Sequence, residues 1–306
     1  MASDSKVAVV AALIGNFIIA MLKLITGLAA NSAAMLAEAA HSFSDTGNQV
    51  LLMVGLARAK GGPTPAYPFG QGKSGYFWPF LVAVLLFGVA GAYSLFEGFE
   101  KILHPHEIGD IRLSLVVLGI AFVIEAVVLT VAVRKAIQRS RSQGIDTVRQ
   151  FLEENRDATL LTVIVEDTLA LVGLPVAAGA LVLSKVTGNP VWDGIGSLLI
   201  GILLMGFAVF LAWEVRHLLV GRGLAERDLD KVHKVLEADH DVDEIILVQS
   251  MYLGADDVLL GVELDIRDDL NGAEAEQAIE RIEAALKQAL PVLRYVYIEP
   301  RDAPQA

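Results

Sequence analysis

The stretch AEAAHSFSDTGN (residues 37–48) places an imidazole, two carboxylates and an amide inside a long apolar segment. On a helix, spacings of three and four residues put side chains on one face, and these spacings connect Glu38, His41, Asp45 and Asn48. An imidazole and a carboxylate one turn apart form half of a binding site for a divalent transition metal. The other half must therefore come from another helix.

The composition of the chain places it in the class of membrane proteins. Of its 306 residues, 54% are hydrophobic and 20% are charged. The chain is thus too apolar for an ordinary soluble enzyme, and its charge is too low for a disordered chain. The absence of cysteine excludes disulfides, thiolate zinc sites, iron–sulfur clusters and cysteine nucleophiles. The net charge of −12 argues against a nucleic-acid partner, because such proteins are usually basic.

Six segments are long and apolar enough to cross a bilayer, which takes roughly 20 residues. They are Val7–Leu28, Ala33–Leu56, Phe77–Phe96, Leu113–Val133, Thr159–Leu183 and Val191–Leu211. Among the connections between these segments, those after the second and fourth carry nine Lys and Arg residues, whereas the opposite side carries only Lys101, Arg112 and Lys185. The nine are Arg58, Lys60, Lys73, Arg134, Lys135, Arg139, Arg141, Arg149 and Arg156. Positive loops stay in the cytoplasm, so both termini are predicted to be cytoplasmic.

The sequence changes character near Gly221. Residues 1–220 carry 16 acidic and 15 basic side chains, whereas residues 221–306 carry 20 and 9. The second part predicts a helix, a hairpin around residues 253–255, a helix capped by Asn271 and a last strand. We therefore expect a six-helix transmembrane domain (1–220) and a small cytoplasmic α+β domain (221–306) of order α-β-β-α-β, with its helices on one face of the sheet.

Ionisable residues at membrane depth are costly, so they mark functional sites. The pair Glu166 and Asp167 on the fifth segment is the strongest candidate for the missing half of the site. Glu125 on the fourth segment is a further candidate. Adjacent residues point about 100° apart on a helix, so one member of the pair should aim at the shared centre. Glu125 has three open roles: metal ligand, proton carrier or partner of Lys23.

Two motifs of this chain resemble those of the cation diffusion facilitator family. Residues 37–48 resemble its second-helix signature, and PFGQGK (residues 68–73) is similar to its cytoplasmic Phe-Gly-His-Gly-Lys loop. Six spans followed by an acidic α+β domain agree with the same family. The resemblance implies a homodimer that exchanges Zn²⁺ or a related divalent ion for protons, with a transport site between helices two and five.

Carried over to this chain, the family's ligands fall on His41, Asp45 and Asp167. The fourth position of the family pattern is Val163, so one standard ligand is missing. The Glu166-Asp167 pair resembles the branch that includes mitochondrial zinc exporters, and Glu166 is then the first candidate for the fourth ligand, with Glu125 behind it. Asn48, Asn16 and Glu38 are additional candidates for the metal or proton pathway.

Other family metal positions are weak in this sequence. The loop histidine is replaced by Gln71, with Tyr67 nearby, so no metal is predicted there, whereas Lys73 is retained as a candidate anchor to the cytoplasmic domain. A group of potential ligands in the acidic domain is better explained as a solvated acidic surface. It comprises His233, Asp239, His240 and Asp241.

The sequence thus predicts a proton-coupled exporter of divalent metal in the plasma (inner) membrane, with no prosthetic group. Zn²⁺ is the first candidate cargo, and Fe²⁺, Mn²⁺, Co²⁺ and Cd²⁺ remain open, since histidine favours borderline ions and carboxylates favour harder ones. The alternatives are a passive metal channel, a metal sensor, or an intramembrane metal-dependent enzyme. No His-Glu-x-x-His motif supports the enzyme.

Overall fold

The structure is a computed structural model that describes residues 2–142, 158–255 and 257–301. Its first part is helical, with α1 (Ala2–Ala30), α2 (Ala33–Ala59), α3 (Ser74–Val82), α4 (Gly88–Leu103), α5 (Arg112–Ser142), α6 (Ala158–Thr187) and α7 (Val191–Val220). A π-helical segment, Ala83–Phe87, joins α3 to α4. The third predicted span is therefore one helical run that is interrupted in its middle.

Four helices of the described chain are long and apolar enough to cross a membrane. Their apolar segments are Leu13–Ala30, Arg112–Gln138, Ile164–Thr187 and Val191–Val220. The other two predicted spans differ for physical reasons. Helix α2 carries the polar stripe, and the third run is divided into two shorter helices by the π-helical segment Ala83–Phe87. Four apolar spans are thus confirmed, and the total of six stays a prediction.

The C-terminal part has the predicted order of elements. It contains α8 (Glu226–Glu237), β1 (Val242–Tyr252), β2 (Val258–Ile266), α9 (Gly272–Ala289) and β3 (Leu293–Pro300). The sheet order is β1-β2-β3, in which β1 and β2 form an antiparallel hairpin and β3 runs parallel to β2. Helix α9 connects β2 to β3 and returns the chain to the end of the sheet at which β2 begins. Strand β3 can therefore run in the same direction as β2.

Both helices of this part pack on one face of the sheet. Alternate residues of the central strand β2 are buried, as expected for a strand with one covered face. They join Val232 and Leu236 of α8 and Ile282 and Leu286 of α9 in one hydrophobic core. The predicted cap of α9 is confirmed, because the Asn271 side chain accepts from the backbone N–H of Glu274 and the Glu274 side chain accepts in return from the backbone N–H of Asn271.

The chain divides into two compact units, one of residues 1–55 and 77–215, the other of 56–76 and 216–306. The loop that contains PFGQGK thus belongs to the second unit. There the ring of Phe69 lies 5.3 Å from that of Tyr295, and Lys73 Nζ lies 3.7 Å from Met251 Sδ. A Cβ at Gly72 would overlap the carbonyl oxygen of Leu253, so this close backbone approach requires glycine.

We expect a fragment of residues 221–306 to fold without the membrane part, because its hydrophobic core is built from residues between Leu224 and Leu293. Circular dichroism should show mixed α/β structure and a cooperative thermal transition. As a control, Leu260→Asp should abolish the transition, because Leu260 is fully buried and an unpaired carboxylate there is strongly unfavourable. An unfolded spectrum of the unmutated fragment, with or without added metal, would contradict the expectation.

Candidate metal-transport site

Helix α2 presents its polar stripe to the interior of the first unit. The side chains of His41 and Asp45 contact each other, with 3.5 Å between Nε2 and Oδ2. Helix α2 is one of the least apolar of the long helices, yet its polar side chains are buried. The exposed fraction is 3% for His41, 9% for Asp45 and 0% for Asn48. Their helical spacing and their burial together show that the three side chains face protein rather than lipid.

Helix α6 supplies the second half of the cluster. Both Glu166 and Asp167 are buried, and Glu166 is the member of the pair that reaches α2. Its Oε2 accepts a hydrogen bond from Asn48 Nδ2, and its carboxyl group lies within hydrogen-bonding range of the Asp45 carboxyl group. Two carboxyl groups this close are stable together when a proton or a cation lies between them. Their contact therefore defines a position that favours a cation.

Asp167 is placed differently from its neighbour. Its Oδ2 atom is buried and has no hydrogen-bond partner among the described residues. Glu125 on α5 acts on it electrostatically. Within the described residues, the intramembrane groups do not bring three ligand atoms within 4.8 Å of one another. A cation shared by all of them would require side chains of the cluster to move closer together.

A small cavity reaches this cluster from the side of α1 and α5. It is lined by Asn16, Ile19, Ser42, Asp45 and Glu125. The structure therefore brings two of the predicted accessory residues, Asn16 and Glu125, to the same space as Asp45. The cavity has room for about one water molecule, so it is large enough for a proton carrier next to Asp45 and too small for a hydrated ion.

Glu38 has a partner that the sequence did not indicate. Its Oε2 accepts a hydrogen bond of 2.9 Å from Lys23 Nζ on α1, and the same ammonium donates to Ser42 Oγ at 2.7 Å. Of the three roles left open for Glu125, the partner of Lys23 is thus taken by Glu38. Sequence spacing alone could not decide this, because it does not show which faces of α1, α2 and α5 meet.

Two further residues of the site were not predicted. Phe87, the last residue of the π-helical segment, packs its ring against the His41 imidazole, with 6.1 Å between ring centres and an 87° interplanar angle. Asp193 of α7, which is fully buried, accepts from Ser32 Oγ and from the backbone N–H groups of Ala33 and Ala34 at the start of α2. A π-helical turn and a long-range cap leave no local sequence signal.

The acidic group of the second unit is held by arginine. Asp239, His240 and Asp241 bring their ligand atoms within 4.8 Å of one another. Arg281, however, donates hydrogen bonds of 2.9 Å to Asp239 and 2.6 Å to Asp241, and the guanidinium holds the pKa of Asp239 below its ordinary value. His233 binds the carbonyl oxygen of Leu229 through Nδ1. The group is therefore paired with arginine, and Asp241 within it is buried rather than solvated. That it binds no metal stays a prediction.

Comparison with known proteins identifies the class of this transporter. Residues 9–220 match the cation efflux transmembrane domain, which is more than two thirds of the chain. The chain therefore belongs to the cation efflux, or cation diffusion facilitator, family, as its motifs indicated. Members of this family are integral membrane transporters of metal cations and not enzymes, so the enzyme alternative is excluded.

Three relatives show which members of the family this chain is similar to. The chain is 32% identical over 266 residues to metal tolerance protein C4 of Arabidopsis thaliana, covering 87% of this chain and 58% of that protein. It is 32% identical over 267 residues to the mitochondrial proton-coupled zinc antiporter SLC30A9 of Xenopus laevis, covering 87% and 47%. The human SLC30A9 is 30% identical, with 85% and 47% covered. The chain thus spans about half the length of these relatives.

We expect Asp193→Ala to destabilise the first unit, because it leaves a buried hydroxyl and two backbone N–H groups of α2 without their acceptor. The loss should be about 1–3 kcal/mol, seen as a lower thermal midpoint of the detergent-solubilised protein. Asp110→Ala is the matched control, because Asp110 is exposed and accepts a single backbone bond, from Arg112. Equal losses in the two variants would contradict the assignment.

Proposed function

We propose that this protein exports a divalent metal cation, with Zn²⁺ as the first candidate, in exchange for protons. The observation that carries the proposal is the buried contact between the His41–Asp45 pair of α2 and Glu166 of α6. An imidazole and carboxylates are the donor set of a site for zinc or a similar ion. The printed names of the SLC30A9 relatives, proton-coupled zinc antiporters, support the same cargo and coupling.

The proposed ligands are His41, Asp45, Glu166 and Asp167. Glu166 takes the place of the ligand that the family pattern would have at Val163, because it already contacts Asp45 and Asn48. Glu125 remains the alternative fourth ligand, since it lines the same cavity as Asp45. Asn48 orients Glu166 through its hydrogen bond, and Asn16 lines the cavity next to Asp45.

Proton exchange follows from the chemistry of these ligands. An imidazole and carboxylates bind a dication only when they are deprotonated, so metal and protons compete for the same atoms. Exposing the cluster alternately to the two sides of the membrane then couples metal leaving the cytoplasm to protons entering it. Lower pH on the releasing side favours release, because protonation of the cluster displaces the cation.

The topology and assembly extend this proposal. We place α2 and the α3–α4 run across the membrane with the four apolar spans, which gives six spans with both termini in the cytoplasm. We place the protein in the plasma (inner) membrane, although the SLC30A9 relatives carry the name mitochondrial. The α-β-β-α-β domain pairs with its copy in a homodimer, as the family resemblance implies.

A passive channel or a sensor is the competing function, and a flux assay separates it from exchange. Purified protein in sealed vesicles should move Zn²⁺ against its concentration gradient when a pH gradient is imposed. The movement should stop when an ionophore collapses the pH gradient. A channel would carry Zn²⁺ only down its gradient, and a sensor would bind Zn²⁺ without flux.

Asp45→Ala should abolish metal flux in proteoliposomes, because it removes the carboxylate that links His41 to Glu166. The variant should still insert, as checked by its yield and by size-exclusion chromatography. Asp243→Ala serves as the control, because it removes an exposed carboxylate of the second unit and should leave flux unchanged. Flux near the wild-type rate in Asp45→Ala would exclude Asp45 as a ligand.

The substituted ligand position gives a second test. Glu166→Gln should weaken Zn²⁺ binding by about tenfold or more, because an amide lacks the negative charge and is a poor ligand for transition metals. Val163→His restores the family's His-x-x-x-Asp pattern with Asp167 one turn away, so the double variant should recover Zn²⁺ flux that Glu166→Gln lacks. If Glu166→Gln transports normally and Glu125→Gln is inactive, α5 supplies the ligand instead.

A further inference from the structure

Lys23 is a fully buried ammonium group in a helix that is long and apolar enough to cross the membrane. Its side chain is 2% exposed, and its Nζ donates to Glu38 Oε2 and Ser42 Oγ on α2. Glu38 is completely buried as well, and its Oε1 approaches Gly173 of α6, where a Cβ would lie only 2.5 Å from that oxygen. Glycine at 173 thus makes room for the carboxylate between three helices.

Packing alone does not require such a pair. A buried ion pair loses much of its Coulomb attraction to the cost of desolvation, and apolar residues of similar volume often stabilise a core equally well. Intramembrane charges are mostly functional for the same reason. The Lys23–Glu38 pair is therefore a candidate for a role in the transport reaction.

The pair lies beside the metal cluster and its cavity. Ser42, which accepts from Lys23, lines the cavity together with Asp45 and Glu125. Glu38 is one helical turn before His41 on the same stripe of α2. The charge of Lys23 acts on His41, Asp45 and Glu125, so the ammonium is within electrostatic range of the proposed ligands.

More carboxyl groups than the one that pairs with it lie within electrostatic range of the Lys23 ammonium. The Lys23 ammonium is paired with the Glu38 carboxylate and acts electrostatically on two more carboxyl groups, those of Asp45 on α2 and Glu125 on α5. Removing the single positive charge would leave Glu38 as one more uncompensated carboxylate beside the cluster. A dication would then bind more tightly and leave more slowly.

We propose that Lys23 is a resident cation that sets the affinity of the transport site, by neutralising Glu38 and by repelling the metal enough for release. This inference rests on the proposed function. Lys23 is a positioning residue, because it acts on the metal through the electrostatic field and through Ser42 rather than as a ligand. In the same arrangement, Glu38 balances Lys23 and does not bind the metal.

The test compares Lys23→Met, Glu38→Gln and the double variant in the full-length protein. Binding of Zn²⁺ alone is measured by isothermal titration calorimetry in detergent, and flux is measured in proteoliposomes. We expect Lys23→Met to tighten Zn²⁺ binding by about tenfold and to slow turnover, and Glu38→Gln to weaken binding by about tenfold. The double variant removes both charges and should bind within about threefold of the wild type.

The two single variants are expected to change Zn²⁺ affinity in opposite directions, and this distinguishes an effect of charge from an effect of helix packing. If the pair only held α1 against α2, both single variants would weaken binding, and that result would overturn the inference. Weak binding in the double variant would also overturn it, because it would make Glu38 itself a ligand. Lys23→Arg, which keeps the charge, should retain wild-type affinity, and a Lys23→Arg variant that behaves like Lys23→Met would contradict a charge effect.

The design also separates this inference from the proposed function. If Lys23→Met does not fold, Glu38→Gln and the double variant still decide the outcome, since the inference requires the double variant to restore the affinity lost in the single one. Wild-type protein that shows no metal flux under a pH gradient would overturn the proposed function. Wild-type flux with single variants shifted in the same direction would overturn only the role of Lys23.

Discussion

The burial of charge on α2 is the constraint on which the rest of the first unit depends. Lipid offers no hydrogen bonds, so each polar group of α2 must find its partner inside the protein. Lys23 of α1 reaches Glu38, Glu166 of α6 reaches Asn48, and Asp193 of α7 reaches the first N–H groups of the helix. Three neighbouring helices are thus tied to one polar stripe, and the position of that stripe fixes the site.

The interactions at the start of α2 are structural, whereas those in its middle favour an ion. The Asp193 carboxylate accepts hydrogen bonds from Ser32, Ala33 and Ala34 and so caps the start of α2. Asp45 and Glu166 instead face each other, and Asp167 leaves a buried oxygen without a partner among the described residues. A carboxylate with a structural role accepts hydrogen bonds from donors around it. A buried carboxylate that lacks such donors is stabilised by a proton or by a metal cation instead.

In the second unit, too, carboxylates are satisfied by donors within the protein. Its acidic group could have been a metal site by proximity, yet Arg281 occupies the carboxylates of Asp239 and Asp241. Its core is formed by β2 with the two helices on one side. The loop that follows α2 belongs to this unit, in which Phe69 contacts Tyr295 and Gly72 lies against the backbone of Leu253.

The sequence by itself determined the kinds of elements and the residue types of the site. The length of the apolar segments predicted the helices. The alternation of apolar residues and the cap residue Asn271 predicted the strands and last helix of the acidic part. The spacing of His41 and Asp45 predicted that they share a helix face, because all these signals are local. Tertiary structure decided the pairings. Which side chains meet depends on how the helices are rotated against one another. This rotation brings Glu166 to Asn48 and Lys23 to Glu38. It also places Phe87 against His41 and Asp193 at the start of α2. No local pattern encodes that rotation, because it is set by the packing of many distant side chains at once.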